Sequence, residues 1–435
     1  MAVQSKPKPA PPPRLGRNFH RFWVGSMSSN MADGVMATVL PLMAAMFTND
    51  PVLVAGLAFV RFLPWLLFGL FVGALVDRLD RGKVMITVNV VRAVTLALLA
   101  VVVAAGRADI FTLYVVMFVI MSCEAFYDIA GRAMMPELVE RRSLDRANSR
   151  IVGSRVVVED FGGAPIGGFL IVVAAALPLA VNAGAYFLAA LILIGLPLSA
   201  RRPRPSTSHE SADVTGKRAS MLASMREGAL FIWKDRPLRA LVVHGSLVGL
   251  GFMIQASVLV LILRVHFQIS EALYGVFISS SAVGALIGAM LVTRLVSTLG
   301  RFRVEVTAYT IMGVGCIAFI LSPNLYWAGV FWALIAVAMT VSNTIITGIA
   351  QLVIPAELRG RVLGTVQIFA MSCSAMGALL GGLLGRVDLR LPSLVGGVLV
   401  IAATMYFLPA LRTITRRADQ AQAEEVRRTE DRLEE

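Results

Sequence analysis

Long apolar segments alternate with short polar ones along almost the whole chain. An α-helix of about 20 residues rises about 30 Å, which is enough to cross the hydrocarbon of a bilayer. The segments do not alternate apolar with polar residues, as the strands of a membrane β-barrel would. The pattern predicts an all-α polytopic membrane protein. Its twelve predicted transmembrane helices lie near 22–47, 52–76, 84–105, 110–131, 152–174, 178–199, 241–263, 273–296, 304–322, 325–353, 362–385 and 393–411.

Basic residues are concentrated in alternate connections between these segments, including DRLDRGK, the segment 200–240, RLVSTLGRFR and PAELRGR. By the positive-inside rule, this asymmetry predicts that both termini lie in the cytoplasm. It also accounts for the net charge of +13. We therefore expect the cationic surface to contact anionic lipid headgroups, and we expect no nucleic-acid partner.

Composition divides the chain into two halves with flanking and connecting segments. The predicted units are a disordered, basic, Pro-rich cytoplasmic tail, an N-terminal six-helix bundle, a cytoplasmic linker, a C-terminal six-helix bundle and a charged cytoplasmic tail. Within the linker, ASMREGALFIW has helical apolar spacing and is predicted to lie along the membrane surface. The boundaries are 1–21, 22–199, 200–240, 241–411 and 412–435.

The two halves resemble each other weakly. Three pairs of residues are offset by about 215 positions, as expected for the duplicated architecture of a secondary transporter. The alternative is coincidence among Gly-rich helices. The pairs are Pro136 with Pro355, Gly167 with Gly381, and Gly73 with Gly288.

No enzyme or metal signature is present in the sequence. Cys123, Cys316 and Cys373 fall inside apolar segments without CxxC spacing, which indicates small core residues. The sequence contains no P-loop, no HExxH motif and no GxSxG motif with a soluble domain. We expect no cofactor and no metal, and by elimination an ion gradient is the energy source.

Acidic residues inside the spans are candidates for proton coupling, because a lone charge at mid-bilayer costs at least about 2.5–3.5 kcal/mol. Counted at about 1.5 Å per residue, Asp33 and Arg61 lie about 17 and 22 Å from one membrane face and are predicted to pair. That pair is either permanent or a switch in which Asp33 takes up a proton when it loses Arg61. Glu159 and Asp160 lie at a similar depth, together with Arg92.

Glu124 and Asp128 share one face of the fourth span. They could attract a cationic substrate or take a second proton, although Asp128 beside Arg132 is better interpreted as a surface ion pair. The C-terminal half supplies hydrogen-bonding groups without fixed charge, which suggests that the two halves share the substrate contacts. The substrate-cavity candidates are Met36, Asp128, Gln255, Asn343 and Thr347.

The second and third spans are joined by GALVDRLDRGK, a tight turn rich in charge. A solvated loop would explain its basic residues, but two aspartates among them suggest a gate. A carboxylate here could face the N-terminus of another helix, where unpaired N–H groups favour negative charge. We expect Asp77 to contact the start of span eleven near 363–365 in one closed state. The candidate gating residues are Gly73, Asp77, Arg78, Asp80 and Arg81.

This loop resembles the loop 2–3 signature of the major facilitator superfamily, and RFLPWLLFGLFVGALVDRLDRGKVM is similar to its drug-exporter branch, which includes macrolide efflux and enterobactin exporters. The similarity extends to MADGV, FYDIAGRAMMPELVERRSLDRANS, SMREGALFIWKDRPLR and IPAELRGRVLG. The resemblance implies two six-helix bundles and alternating access. An acidic residue is frequent in span one of the family, which favours a coupling role for Asp33.

The segment GGAPIGG in span five is similar to the end of the antiporter motif, with the proline one place along and the upstream glycines absent. Small residues here let two helices approach closely, and the proline removes a backbone donor. Ordinary close packing explains the segment equally well. The residues are Gly163, Pro165, Gly167 and Gly168.

These observations predict a monomeric secondary active transporter in a bacterial inner membrane. The expected activity is proton-coupled efflux, by antiport, of an amphipathic drug, antibiotic or siderophore-like natural product, as in multidrug resistance. One alternative is a passive or proton-coupled uptake facilitator of a small metabolite. Another is a membrane-embedded transferase that uses DRLDR as a metal and phosphate site.

Overall fold

The computed structural model describes residues 15–76, 78–196 and 226–434, and it contains no strand in these ranges. Twelve of the described helices are long and apolar enough to cross a membrane, which confirms the predicted class. They are α1 Arg17–Phe47, α2 Pro51–Val76, α3 Arg81–Ala104, α4 Ile110–Leu138, α5 Leu144–Val173, α6 Leu177–Ile194, α7 Arg236–His266, α8 Glu271–Leu299, α9 Arg301–Ile320, α10 Leu325–Val353, α11 Ala356–Val387 and α12 Leu391–Glu434.

Several helices begin with a side-chain cap that explains their sharp start. An Asp or Asn oxygen accepts the backbone N–H three residues later, which satisfies one of the free donors of the first turn. The capping residues are Asp80 (to Lys83 N, 3.0 Å), Asp109 (to Thr112 N, 2.8 Å), Asp235 (to Leu238 N, 3.1 Å) and Asn324 (to Trp327 N, 3.2 Å).

Three predicted boundaries differ from the observed helices. α1 begins at Arg17, inside the predicted tail 1–21, and α7 begins at Arg236, inside the predicted linker. α12 continues to Glu434 through the segment predicted as a charged tail. The extension is held by ion pairs of Asp419 with Arg301, and of Arg417 with Asp235 at 2.5 Å. Hydropathy marks where lipid contact ends, whereas a helix continues as long as such contacts stabilise it.

The linker is described only from residue 226. Residues 226–234 form a short helix that packs on the start of α11, where a Cβ at Gly228 would lie 2.7 Å from the Arg361 carbonyl oxygen. Glu227 pairs with Arg361. The predicted surface helix ASMREGALFIW overlaps this helix, and the rest of the predicted linker lies outside the described residues.

Apolar side chains cover the outer surface of the molecule, while several polar ones are fully buried. Leu98, Val101 and Val387 are each more than 60% exposed, whereas Arg92 and Glu305 are 0% exposed. This distribution is the reverse of that in a soluble protein, because lipid surrounds the outside and polar groups need protein partners.

Helix packing repeats between the two halves. In the first half, α3 packs on α4 and α6, α1 on α6, and α2 on α4; in the second, α9 packs on α10 and α12, α7 on α12, and α8 on α10. Each pair in the first half therefore has its counterpart six helices later. The two most extensive contacts between halves, α2 with α11 and α5 with α8, exchange under the same operation. The prediction of two pseudo-symmetric six-helix bundles is confirmed.

Because the described chain crosses the membrane twelve times, both of its ends lie on the same membrane face. This face is called the termini face below, and the opposite face is called the far face. Near the far face, α5 meets α8 through backbone: a Cβ at Gly168 would lie 2.9 Å from the Glu271 carbonyl oxygen, and one at Gly275 would lie 2.4 Å from the Ala164 carbonyl oxygen. α11 meets α2 in the same way, since a Cβ at Gly382 would lie 2.9 Å from the Val52 Cα.

An ion pair and a hydrogen bond between the bundles close the far face above these contacts. Arg386 donates to the Asp50 carboxylate through Nε, which lies 2.8 Å from Oδ1, and through Nη2, and Arg264 donates to the Ala45 carbonyl. The bond from Arg386 lowers the pKa of Asp50 below its ordinary value of 3.8. Because the pKa is lower when the pair is formed, the pair stabilises closure above pH 3.8 and is lost as the pH falls through the lowered value.

The bundles separate toward the termini face. A space of ≈ 680 Å³, here called the inter-bundle cavity, lies between Arg61, Trp65 and Arg132 of the first bundle and Leu363 and Gln367 of the second. Cβ atoms built at Gly73 and Gly364 meet no atom within 4 Å. The conformation is therefore open at the termini face and closed at the far face.

The contact between α5 and α8 predicts the effect of Gly168→Val. The new side chain would overlap the α8 backbone, so we expect the far face to open and the population to shift toward the opposite conformation. Spin labels at positions 107 and 323, in a background without native cysteines, measure the distance across the far face, which should lengthen.

Gly184→Val is the matched control for this experiment, because a Cβ at Gly184 meets no atom within 4 Å. An unchanged distance in Gly168→Val would show that this contact does not hold the far face closed.

Candidate functional site

A cavity of ≈ 290 Å³ lies between the bundles and is here called the central cavity. Apolar and aromatic side chains form most of its wall, and its charged side chains come from the first bundle. Such a wall suits an amphipathic ligand, since apolar surface supplies affinity and a few polar groups orient it. The residues used below are Asp33, Met36, Arg61, Glu124, Glu159 and Phe252.

Asp33 pairs with Arg92 rather than with the predicted Arg61. Its Oδ1 lies 3.5 Å from Arg92 Nη1 and accepts a hydrogen bond from the Tyr186 hydroxyl at 2.6 Å. The Arg92 guanidinium also donates to Ser29 Oγ at 3.3 Å and lies 5.2 Å from the centre of the Tyr186 ring. A fully buried cation is thus surrounded by a carboxylate and an aromatic face, which offset its desolvation.

The predicted Asp33–Arg61 pair is wrong in this conformation, because depth in the membrane does not determine which way a side chain points. Arg61 has an exposed side chain that lines both the central and the inter-bundle cavity. It shares both cavities with Glu124.

A second charged group surrounds Arg155 of α5, a residue that was not among the sequence-based candidates. Arg155 Nε lies 2.6 Å from Glu159 Oε2, and its two terminal nitrogens lie 3.7 Å from Glu124 Oε1 and from Asp128 Oδ2. Glu124, Asp128 and Glu159 are called the carboxylate cluster below. The predicted pair of Asp128 with Arg132 is also present, at 3.9 Å.

The basic side chains that contact the carboxylate cluster do not neutralise it fully. Arg155 and Arg132 supply two positive charges against three carboxylates, so the cluster can accept a proton or a cationic ligand without losing these partners. In the described part of the chain, no group of three or more His, Cys, Asp or Glu side chains is arranged to hold a metal ion.

A π-helical turn, Val156–Gly163, positions Glu159 within α5. It ends two residues before Pro165, which has no N–H to donate to the preceding turn. Such turns widen a helix locally and are frequent at functional sites. The side chain of Asp160, the other predicted acid here, lies outside the described residues.

The small residues of α5 allow close contact with two different helices. A Cβ at Gly163 would lie 2.6 Å from the carbonyl carbon of Gly34 in α1, and one at Gly167 would lie 3.0 Å from the Val35 carbonyl oxygen. Gly168 faces α8 of the other bundle. The segment therefore joins α1, which carries Asp33, to the contact that closes the far face.

Two wider spaces meet the carboxylate cluster. A first-bundle cavity of ≈ 500 Å³ is lined by Asn30, Tyr127, Asp128, Arg155 and Glu159, and the inter-bundle cavity is lined by Glu124 and Asp128. Since Glu159 and Glu124 also line the central cavity, the cluster connects all three spaces.

The uncharged substrate-cavity candidates lie at different places. Met36 lines the central cavity, but Gln255 is fully buried in α7 with both amide atoms unpartnered, and it is not in that wall. Asn343 lines a separate space of ≈ 260 Å³ within the second bundle, here called the second-bundle cavity. Thr347 is exposed, and its hydroxyl donates to the Asn343 carbonyl oxygen at 2.7 Å.

The loop between α2 and α3 is attached to its own bundle. Asp80 caps α3, and Arg81 Nη1 donates to the Ala133 carbonyl oxygen of α4 at 2.8 Å. Arg78 lies in the exposed turn beside them. Asp77 lies outside the described residues, so its predicted contact with α11 stays a prediction.

A family model described as "transmembrane secretion effector" matches residues 12–433. The chain belongs to this family of the major facilitator superfamily. It is a multi-pass membrane transporter and not an enzyme, as the sequence predicted.

Relatives and solved structures agree with this assignment. The chain is 25% identical over 405 residues to the multidrug efflux pump Tap of Mycolicibacterium fortuitum, covering 89% of this chain and 95% of Tap. It is 26% identical over 128 residues to macrolide efflux protein A of Streptococcus pyogenes, covering 29% and 32% of the two chains. Its fold matches a bacterial homologue of ferroportin in the inward-facing state, with a TM-score of 0.71, 15% identity, and coverage of 93% and 100%.

The buried ion pair predicts the result of removing one partner. Arg92→Gln leaves Asp33 buried with only the Tyr186 hydroxyl, so stability should fall by about 3–5 kcal/mol, as for other broken buried pairs. Thermal unfolding of purified protein in detergent measures this loss.

Asp33→Asn combined with Arg92→Gln should recover most of the stability, since no uncompensated charge remains. Arg61→Gln is the matched control and should unfold near the wild-type temperature. A larger loss in Arg61→Gln than in Arg92→Gln would contradict the pairing.

Proposed function

We propose that this transporter exports an amphipathic compound from a bacterial cell in exchange for protons. The inner membrane is its site, it acts as a monomer, and the positive-inside rule places the termini face in the cytoplasm. The single observation that supports this proposal best is the carboxylate cluster, which connects the central cavity to both cavities near the termini face.

Alternating access follows from the two kinds of contact between bundles. In the present conformation the cavity is loaded from the cytoplasm while α5–α8 and α2–α11 seal the far face. Rocking of the bundles breaks those contacts and exposes the same carboxylates to the outside. The substrate then leaves outward, and protons enter.

Competition between a proton and an organic cation for the same carboxylates couples substrate export to proton entry. A buried carboxylate needs a neutralising partner, and a proton or an organic cation supplies one equally well. Protons arriving from outside displace the cation, and the protonated empty carrier returns to release its protons toward the cytoplasm. Asp33, on the helix that packs against α5, links this exchange to the movement of α1.

The charge of the cavity favours a cationic drug or antibiotic over a siderophore-like anion. Asp33, Glu124 and Glu159 line the central cavity, against Arg61 as the cation in the same wall. The names of Tap and of macrolide efflux protein A describe drug export, which agrees with this direction.

The proposal is tested in proteoliposomes with ethidium, a fluorescent amphipathic cation. An imposed pH gradient should drive ethidium movement against its concentration gradient in the wild type. Asp33→Asn and Glu159→Gln should lose this uphill movement because neither side chain can titrate. Ethidium should still bind both variants in detergent, because the other carboxylates of the central cavity remain.

Glu140→Gln is the matched control, because the Glu140 side chain is 63% exposed and does not line the cavities described above. Uphill movement that survives a protonophore would contradict proton coupling. Movement in the same direction as the proton would favour uptake over export.

A further inference from the structure

A carboxyl group that the transport cycle above does not use lies in the second bundle. Glu305 of α9 is 0% exposed. Its Oε1 accepts a hydrogen bond from Ser342 Oγ of α10 at 2.8 Å, whereas Oε2 has no hydrogen-bond partner. Tyr309, one turn further along α9, faces the same carboxyl.

No cation lies within 4.0 Å of Glu305 among the described residues, unlike Asp33 and the carboxylate cluster. From α7, the His244 ring packs at 4.5 Å from the Tyr309 ring, with its Nε2 3.3 Å from Thr404 Oγ1 of α12. α10 contributes the Ser342 hydroxyl. On α9 itself, Arg301 forms its ion pair with Asp419 and not with Glu305.

An ionised carboxylate in such surroundings would lack compensation, because burial removes water and no cation replaces it. The geometry is that of a neutral carboxylic acid that accepts from Ser342. The acid can ionise only if a cation comes close to it.

A space for that cation lies next to the acid. Ser342 and Tyr309, the two residues that face the Glu305 carboxyl, both line the second-bundle cavity. The rest of its wall is apolar or uncharged and includes no Lys, Arg or His. Phe252 lines both this cavity and the central cavity, so the two spaces share a wall.

We propose that the second-bundle cavity is a second binding site for an organic cation, and that binding there releases the proton of Glu305. The O–H bond of the acid breaks, the proton leaves to water in the cavity, and the carboxylate neutralises the cation. The choice of an organic cation as the ligand rests on the proposed function. The site would release one proton from the second bundle, in addition to the protons exchanged at the first-bundle carboxylates.

The test uses tetraphenylphosphonium, a quaternary cation that carries no ionisable proton, so every proton released comes from the protein. Full-length protein in weakly buffered detergent is titrated at neutral pH while a pH dye counts protons and infrared difference spectra follow the C=O stretch of protonated carboxyl groups. The wild type should lose a protonated-carboxyl band and release protons on binding. Glu305→Gln should lack that band and release fewer protons.

Asp33→Asn and Glu159→Gln should keep the Glu305 band, which separates this site from the first-bundle acids. Ser342→Ala should shift the band frequency by removing a hydrogen-bond donor, and it decides the assignment if Glu305→Gln does not fold. Absence of the band in the wild type, its survival in Glu305→Gln, or an unchanged frequency in Ser342→Ala would overturn the proposal. None of these readouts requires transport, so they are independent of the proteoliposome result.

Discussion

The free-energy cost of burying charged side chains in a membrane protein determines which helices pack together in this structure. Arg92 has no contact with water, and its position is tolerable because Asp33, Ser29 and the Tyr186 ring surround it. This group joins α1, α3 and α6, so the charge compensation also holds three helices of the first bundle together. Removing either charge would therefore leave its partner buried without compensation at the contact of these three helices.

The same requirement explains the asymmetry between the bundles. In the first, the carboxylates outnumber the basic side chains that contact them around Arg155, and they lie where three cavities meet. In the second, Glu305 has hydroxyl partners instead of a cation. The far face is closed by backbone contacts at small residues and by the Asp50–Arg386 pair, whose Arg386 side chain is 55% exposed and can be solvated when the bundles separate. The buried charges are therefore concentrated inside the first bundle, whereas the two bundles meet at the far face through small residues and an exposed ion pair.

Hydropathy and the weak internal repeat were sufficient to predict twelve helices in two related bundles, because both are properties of whole segments. Side-chain partners were harder to predict. Asp33 was assigned to Arg61 from depth alone, but the side chain that faces Asp33 is Arg92 of α3. Arg155 was overlooked although its spacing of four from Glu159 inside a predicted span was visible. Glu305 lies at the edge of a span that begins RFRVE, where hydropathy does not distinguish a buried acid from an interfacial one.

Exchange of protons and an organic cation at shared carboxylates is the central claim, and the reversal condition tests it most directly. In proteoliposomes with a fixed ethidium gradient, the pH gradient is varied until net ethidium flux is zero. The account predicts that zero flux occurs at a finite pH gradient that grows with the imposed ethidium gradient. If flux vanishes only when the ethidium gradient itself vanishes, whatever the pH gradient, protons and cation are not coupled.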